Sequence, residues 1–263
     1  MMGAVQVEML ATGYLVYDIT ASPFLLTVLE TGFAIPTLLL SLFGGALADR
    51  FDRKRMIQAG QGLATLVALS VTISILTDSI TWKFLFLAAL FEGTLFAFMM
   101  PARTSIVPQL VTREQFTNAI ALNSAAFSSM TLAAPVIGGI LYAVFGPGVV
   151  YVVITILYIT ALITTSMISK PNTPATTIKT SVFGDIKEGV FYIFSSSKII
   201  QLLSISVVGT LLNWPFRALL PLFIVDIYDL GPDAMGLMVS VLGAGSLMGS
   251  LVIASMGRWN RGL

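Results

Sequence analysis

The run Gly45-Ala46-Leu47-Ala48-Asp49-Arg50-Phe51-Asp52-Arg53-Lys54-Arg55 sets four cations and two carboxylates between two long apolar segments. Upstream lies Phe24–Ala48 and downstream Ile57–Leu76. A hydrocarbon core about 30 Å thick takes roughly 20 apolar residues per helix, and each segment has that length. The charged run therefore reads as a tight surface loop between two membrane-crossing helices. Composition agrees: 56% of the residues are hydrophobic and 10% charged, with a mean hydropathy of +0.93. A soluble domain carries about a quarter charged residues, so this chain lacks the charge to cover a water-facing surface.

Outward from that loop, six further segments share its character: Met1–Tyr17, Trp82–Leu110, Asn118–Phe145, Val149–Ile168, Ile199–Val225 and Ala234–Met256. The predicted fold is all-α, a polytopic bundle. Charge sorts its connections into two sets. Arg50, Arg53, Lys54, Arg55, Arg103, Arg113, Lys170, Lys179, Lys187, Lys198, Arg258 and Arg261 fall on one side. Lys83 falls on the other, with Asp18, Asp78, Asp226, Asp229 and Asp233. The positive-inside rule places the basic set in the cytoplasm. A net charge of +1 is no footprint for nucleic acid. With no cysteine and no histidine, thiol chemistry and Cys/His metal sites are excluded. Any proton handling near neutral pH falls to carboxylates.

A polar stretch at 169–197 divides the chain into an N-terminal half, 1–168, and the start of a second, 198–263. Pro171, Pro174 and a Thr-rich run mark it as a linker. Within it Val182, Phe183, Ile186, Val190, Ile193 and Phe194 recur at helical spacing, which reads either as an amphipathic helix lying on the cytoplasmic surface or as a soluble connector with no membrane contact. Across the divide a repeat shows. Asp18-Ile19 pairs with Asp226-Ile227, Arg50 with Arg258 and Arg53 with Arg261, all at an offset of 208 residues. Both halves carry a Gly-rich helix between those marks, with Gly44 and Gly45 in one and Gly243, Gly245 and Gly249 in the other. Internal repeats of this kind are characteristic of secondary transporters.

The loop run resembles the signature between the second and third helices of the major facilitator superfamily, which reads Gly, then Asp-Arg, then Gly, then Arg with a basic neighbour. Gly45, Asp49, Arg50, Arg53 and Lys54 match it. Asp52 stands where the second glycine belongs, so a tighter or strained turn is expected there. The resemblance implies a cytoplasmic gate, with Asp49 attracted to the N-terminus of an opposed helix. Pro101-Ala102-Arg103-Thr104-Ser105-Ile106-Val107-Pro108-Gln109-Leu110, Asn118 to Ser124, and Leu15 to Pro23 resemble the exporters related to macrolide-efflux and siderophore-secretion permeases. That likeness implies export of amphipathic small molecules in exchange for protons, a monomer in the bacterial cytoplasmic membrane, and no cofactor. Ala134-Pro135-Val136-Ile137-Gly138-Gly139 resembles the Gly-Pro-x-x-Gly-Gly motif of antiporters in the superfamily, with Pro135, Gly138 and Gly139 expected to bend the helix and bring a neighbour close. The superfamily has twelve helices in two six-helix halves. By that measure the chain carries about eight of twelve, with the first helix clipped, and is expected to be a fragment.

Three glutamates lie inside apolar segments: Glu8, Glu30 and Glu92. A charge at the bilayer centre costs about 2.5–3.5 kcal/mol on insertion scales, so such residues face the bundle interior or a watery cavity. They are the proton-coupling candidates. Glu92-Gly93 aligns with the Gln-Gly of a further superfamily motif whose arginine falls on Ala89 here, so no arginine-based relay is implied. Arg217, with Asn213, is the substrate-cavity candidate on the seventh segment. Against these readings stand an intramembrane enzyme, a channel and an inert membrane fragment. The absence of histidine removes HExxH and Ser–His proteases, the Phe183-Gly184-Asp185 run sits in the linker, and nothing resembles a filter loop.

Overall fold

The computed structural model describes residues 1–112, 114–168, 184 and 191–256, with side chains throughout except at 117, 210–218, 246, 247 and 250–256. Among the described residues there is no strand. Helices α1 (Met2–Thr20), α2 (Pro23–Arg50), α3 (Arg53–Leu76), α4 (Trp82–Leu110) and α5 (Phe116–Met167) follow in order. Side-chain caps start α2, α3 and α4. Ser22 accepts from the Leu25 amide, with Pro23 at the first helical position of α2. Asp52 caps α3 through the Arg55 amide, and Thr81 caps α4 through that of Phe84. These caps satisfy amides that a helix start leaves unbonded.

By length and composition α2, α3, α4 and the stretch Asn118–Met167 suffice to cross a membrane. The last is two spans rather than one. Its backbone leaves helical geometry at Gly146, with φ 77° and ψ 176°, a region open to glycine. Contacts show that the chain reverses there. Before it, Thr131 bonds Gln6 and Tyr142 stacks on Tyr14, so this arm runs parallel to α1. After it, Tyr151 meets Thr12 and Tyr158 meets Glu8, so the second arm runs back. The separate segments read at Asn118–Phe145 and Val149–Ile168 correspond to these arms.

The seventh segment departs from expectation. Ile199–Val225 reads as one helix, but the chain forms α6 (Ser197–Ala218), a single turn α7 (Leu220–Leu222), and a π-helical turn, Phe223–Ile227. Pro221 is the physical reason: it has no N–H to give the carbonyl four residues back, so the helix breaks in the turn before it. Helix α8 (Pro232–Met256) follows. The linker helix expected over 182–194 lies mostly outside the described residues. Within them 191–195 is helical, with Phe191, Tyr192 and Phe194 exposed.

Packing is by close backbone approach. A Cβ on Gly44 would sit 2.1 Å from the Ala97 carbonyl oxygen, and one on Gly93 2.3 Å from that of Phe33, so glycine alone lets α2 and α4 touch along their length. Thr37 reinforces the seam by donating to the Gly93 carbonyl. The main core joins α1, α3, α4 and both arms of α5 around Val16, Val71, Leu85, Val150, Tyr151 and Ile154. Leu38, Leu66, Leu122 and Val241 point outward and stay exposed. That is the inverse of a soluble fold and suits a surface bathed in lipid.

Candidate functional site

The three intramembrane glutamates, read from separate segments, line one small cavity of about 60 Å³. Val5, Met9, Thr12, Phe33, Phe96 and Tyr158 share its wall. Glu8 is buried at 4% exposure in mid-α1. Glu92 comes from α4 and its carboxyl lies beside that of Glu8. Tyr158, from the second arm of α5, donates its hydroxyl to Glu8 Oε2. The other oxygen, Glu8 Oε1, has no donor among the described residues. Gly93 fixes Glu92 here, since it is the next residue and the point where α4 presses on α2. Glu30 reaches the cavity from α2. A second polar pair, Thr12 with Tyr151 at 2.6 Å, sits one turn along α1 from Glu8.

The signature loop folds into a compact charge cluster. Arg53 Nη2 reaches Asp49 Oδ1 at 3.2 Å, while its Nε and Nη1 donate to the carbonyls of Ala48 and Ser105, each at 3.0 Å. Lys54 donates to the carbonyls of Ser166 and Ile168, tying α3 to the end of α5. Arg50 ends α2. One expectation is corrected. Asp52 is unstrained, with φ −61° and ψ 110°, because it serves as the cap of α3, a position that suits aspartate better than glycine. Gly45 faces open space among the described residues, while its neighbour Gly44 meets α4 closely.

Pro135, Gly138 and Gly139 lie where the first arm of α5 meets two other helices. Gly138 abuts Val7 of α1. A Cβ on Gly139 would meet the Pro232 carbonyl at 2.5 Å, and one on Gly236 would meet that of Pro135 at 2.4 Å. Gly243 backs onto the Thr131 carbonyl, which Pro135 leaves without its helical donor. This seam joins the N-terminal part of the chain to α8. On the same boundary, the Tyr17 hydroxyl donates to Asp226 of the π-helical turn. Leu10, Leu220, Ile224 and Met235 pack just beneath it. The side chains of Asn213 and Arg217, and Arg113, lie outside the described set.

The sequence pattern of the transmembrane secretion effector family, a branch of the major facilitator superfamily, matches residues 2–259. The chain belongs to this family. Its secretion-effector fold is accordingly that of a multi-pass membrane transporter. Relatives include an uncharacterized MFS-type transporter, YkuC, of Bacillus subtilis, 27% identical over 95% of this chain and 60% of its own length. The multi-drug resistance efflux pump PmrA of Streptococcus pneumoniae is 26% identical over 85% of this chain and 55% of its own. The enterobactin exporter EntS of Shigella boydii is 29% identical over 40% of this chain and 25% of its own. The chain spans about 60% or less of the length of these relatives.

Some residues around the glutamate cavity and the boundary with α8 carried no signal in the sequence. Tyr158 sits in an apolar run and is 150 residues from its glutamate, so it reads as core. Tyr17 ends an apolar segment and shows no sign of its partner along the chain. Asp226 was read as an outer-side charge and a repeat marker, and its bond to Tyr17 spans 209 residues.

Proposed function

We propose that this chain works in a secondary transporter that exports amphipathic organic compounds from the cytoplasm by proton antiport. The observation that carries the reading is the convergence of Glu8, Glu30 and Glu92 on one cavity, with the Glu8 and Glu92 carboxyls in contact. A carboxylate only accepts hydrogen bonds, whereas a protonated carboxyl also donates. One proton held between this pair lets one carboxyl donate to the other. Losing it places two like charges together in a low-dielectric site, which is strongly unfavourable. The pair therefore exchanges its proton only when the cavity opens to water, which is the requirement for coupling. Tyr158 holds Glu8 in place for that exchange.

Alternating access follows from the boundary between the two parts of the chain. The Tyr17–Asp226 bond and the Leu10–Ile224 cluster close one end. The charged cluster at Asp49, Arg50, Arg53 and Lys54 stands at the opposite end, and the basic loops and the 169–197 linker face the cytoplasm. In the cycle we propose, the halves 1–168 and 198–263 rock about the glycine seam of Gly139 and Gly236. The pair takes a proton from outside as cargo leaves, and gives it up inside as new cargo binds. The transporter acts as a monomer in the bacterial cytoplasmic membrane.

The test is efflux in everted membrane vesicles from cells expressing the whole reading frame. Ethidium and a panel of siderophores serve as cargo, and a pH-sensitive dye reports protons. Cargo uptake into the vesicle should collapse the preset acid gradient. Uptake that ignores the gradient overturns the antiport reading.

A further inference from the structure

The boundary between α1 and α5 carries hydroxyls where apolar side chains would pack as well. Thr12 stands one turn from Glu8 on α1, toward the Asp18 end, and lines the same cavity. Its hydroxyl meets that of Tyr151 at 2.6 Å, and Tyr151 is buried. Across the reversal at Gly146 comes Tyr142, whose ring stands edge-on to that of Tyr14 with centroids 5.1 Å apart. Tyr151 is within electrostatic reach of Glu8, Glu92 and Tyr142. Tyr142 is in turn within reach of Tyr14 and Asp18, and Asp18 is exposed. A row therefore runs from Asp18 through Tyr14, Tyr142, Tyr151 and Thr12 to the cavity of the glutamate pair.

A hydroxyl both donates and accepts a hydrogen bond. It can take a proton on a lone pair and pass its own on from the other side, so a proton crosses and no charge stays behind. From Thr12 to Glu8 is one helical turn, about 5–6 Å between Cβ atoms, which a water spans. The cavity they share, about 60 Å³, has room for it, since a water needs roughly 10–15 Å³. Tyr142 Oη is buried with no hydrogen-bond partner among the described residues. A buried polar group left so calls for a reason. Tyr142 lies three residues past Gly139, the point where α5 presses on the backbone of α8. Any rocking about that seam moves Tyr142 directly.

We propose that Tyr14, Tyr142, Tyr151 and Thr12 carry protons from the outer side to the Glu8–Glu92 pair, along a path separate from the cargo's, with Tyr142 as its switch. This deepens the antiport reading and rests on it. With the outer end closed by Tyr17 and Asp226, the Tyr142 hydroxyl leaves the row broken. Opening that end tilts α5 against α8 and brings the hydroxyl to Tyr151, which completes the row. A proton then enters beside Asp18, each hydroxyl gains one proton and gives one up, and a carboxylate of the pair becomes a neutral carboxyl.

The test uses everted vesicles carrying the protein of the whole reading frame, whose lumen corresponds to the outer side. Two rates are measured: ethidium uptake driven by an acid lumen, and exchange of labelled for unlabelled ethidium at equal pH. Tyr151→Phe and Tyr142→Phe keep the rings and lose the hydroxyls. Each should slow driven uptake about tenfold while exchange stays at the parental rate. That is less than the roughly 10²–10⁴-fold a positioned proton-transfer group supplies, because water can replace one hydroxyl. Thr12→Val should behave likewise, and Thr12→Ser should restore driven uptake. In detergent, Tyr151→Phe should release as many protons on ethidium binding as the parent, unlike Glu92→Gln, which separates a carrier of protons from their acceptor. Driven uptake at the parental rate in both tyrosine variants overturns the row and leaves the antiport reading standing. Equal slowing of driven uptake and exchange also overturns it, since the tyrosines then only hold α1 against α5. Parental uptake that ignores the lumen pH overturns the antiport reading, and the row falls with it.

Discussion

Gly93→Ala tests how the site is held. The new Cβ would lie 2.3 Å from the Phe33 carbonyl oxygen and 3.0 Å from its carbonyl carbon and Cα. Carbon–oxygen contacts between helices settle at about 3.3–3.6 Å, so α2 and α4 must part by about 1 Å. Backbone atoms cannot rotate away as a flexible side chain would. Overpacking of this kind costs about 1–3 kcal/mol. The Thr37 hydroxyl bond to the Gly93 carbonyl, at 3.0 Å, weakens as well, and such interhelical bonds are worth about 0.6 kcal/mol. A loss near 2–3 kcal/mol corresponds to a fall in melting midpoint of about 5–10 °C for a chain of this size. The assay is thermal unfolding of the purified chain in detergent, followed by circular dichroism. Gly45→Ala is the control, because nothing lies within 4 Å of its added Cβ; it should melt with the parent. If Gly93→Ala also melts within a degree of the parent, α2 and α4 do not meet as described, and the placement of Glu92 fails with them.

Other predictions follow from the boundary and the loops. Tyr17→Phe removes the hydroxyl that Asp226 accepts. A cysteine at Leu230 in that background should label faster from outside than in the parent; an unchanged rate would mean the bond closes nothing. Asp49→Asn loses an exposed ion pair worth a few tenths of a kcal/mol, while Arg53 keeps its bonds to the Ala48 and Ser105 carbonyls. Expression should stay near normal and transport by the whole reading frame should fall; transport at the parental rate makes the loop a topology signal only. Cysteines at Asp52 and Ser79 should label from opposite sides of the membrane, the first only after permeabilisation, and labelling of both in intact cells would contradict the assigned orientation.

The sequence announced the helices because the bilayer imposes one length and one chemistry on each span, and Phe24–Ala48 or Trp82–Leu110 can be nothing else. It also announced the three glutamates, since a carboxylate in such a run demands a partner or water. That they share a cavity depends on how α1 sits against α2 and α4 and on the close α2–α4 approach at Gly44 and Gly93, neither of which is a pattern along the chain. Pro221 was a readable break that hydropathy alone smooths over.

Proton release on cargo binding tests the central claim most directly. The protein from the whole reading frame, purified in weakly buffered detergent with a pH indicator, is mixed with saturating cargo identified from the vesicle assay. The parent should release protons into solution. Glu92→Gln keeps the size and hydrogen-bonding capacity of the side chain without the titrating group, so it should bind the same cargo and release none. Proton release by Glu92→Gln equal to that of the parent would contradict the account and leave the Glu8–Glu92 contact a structural bridge between α1 and α4.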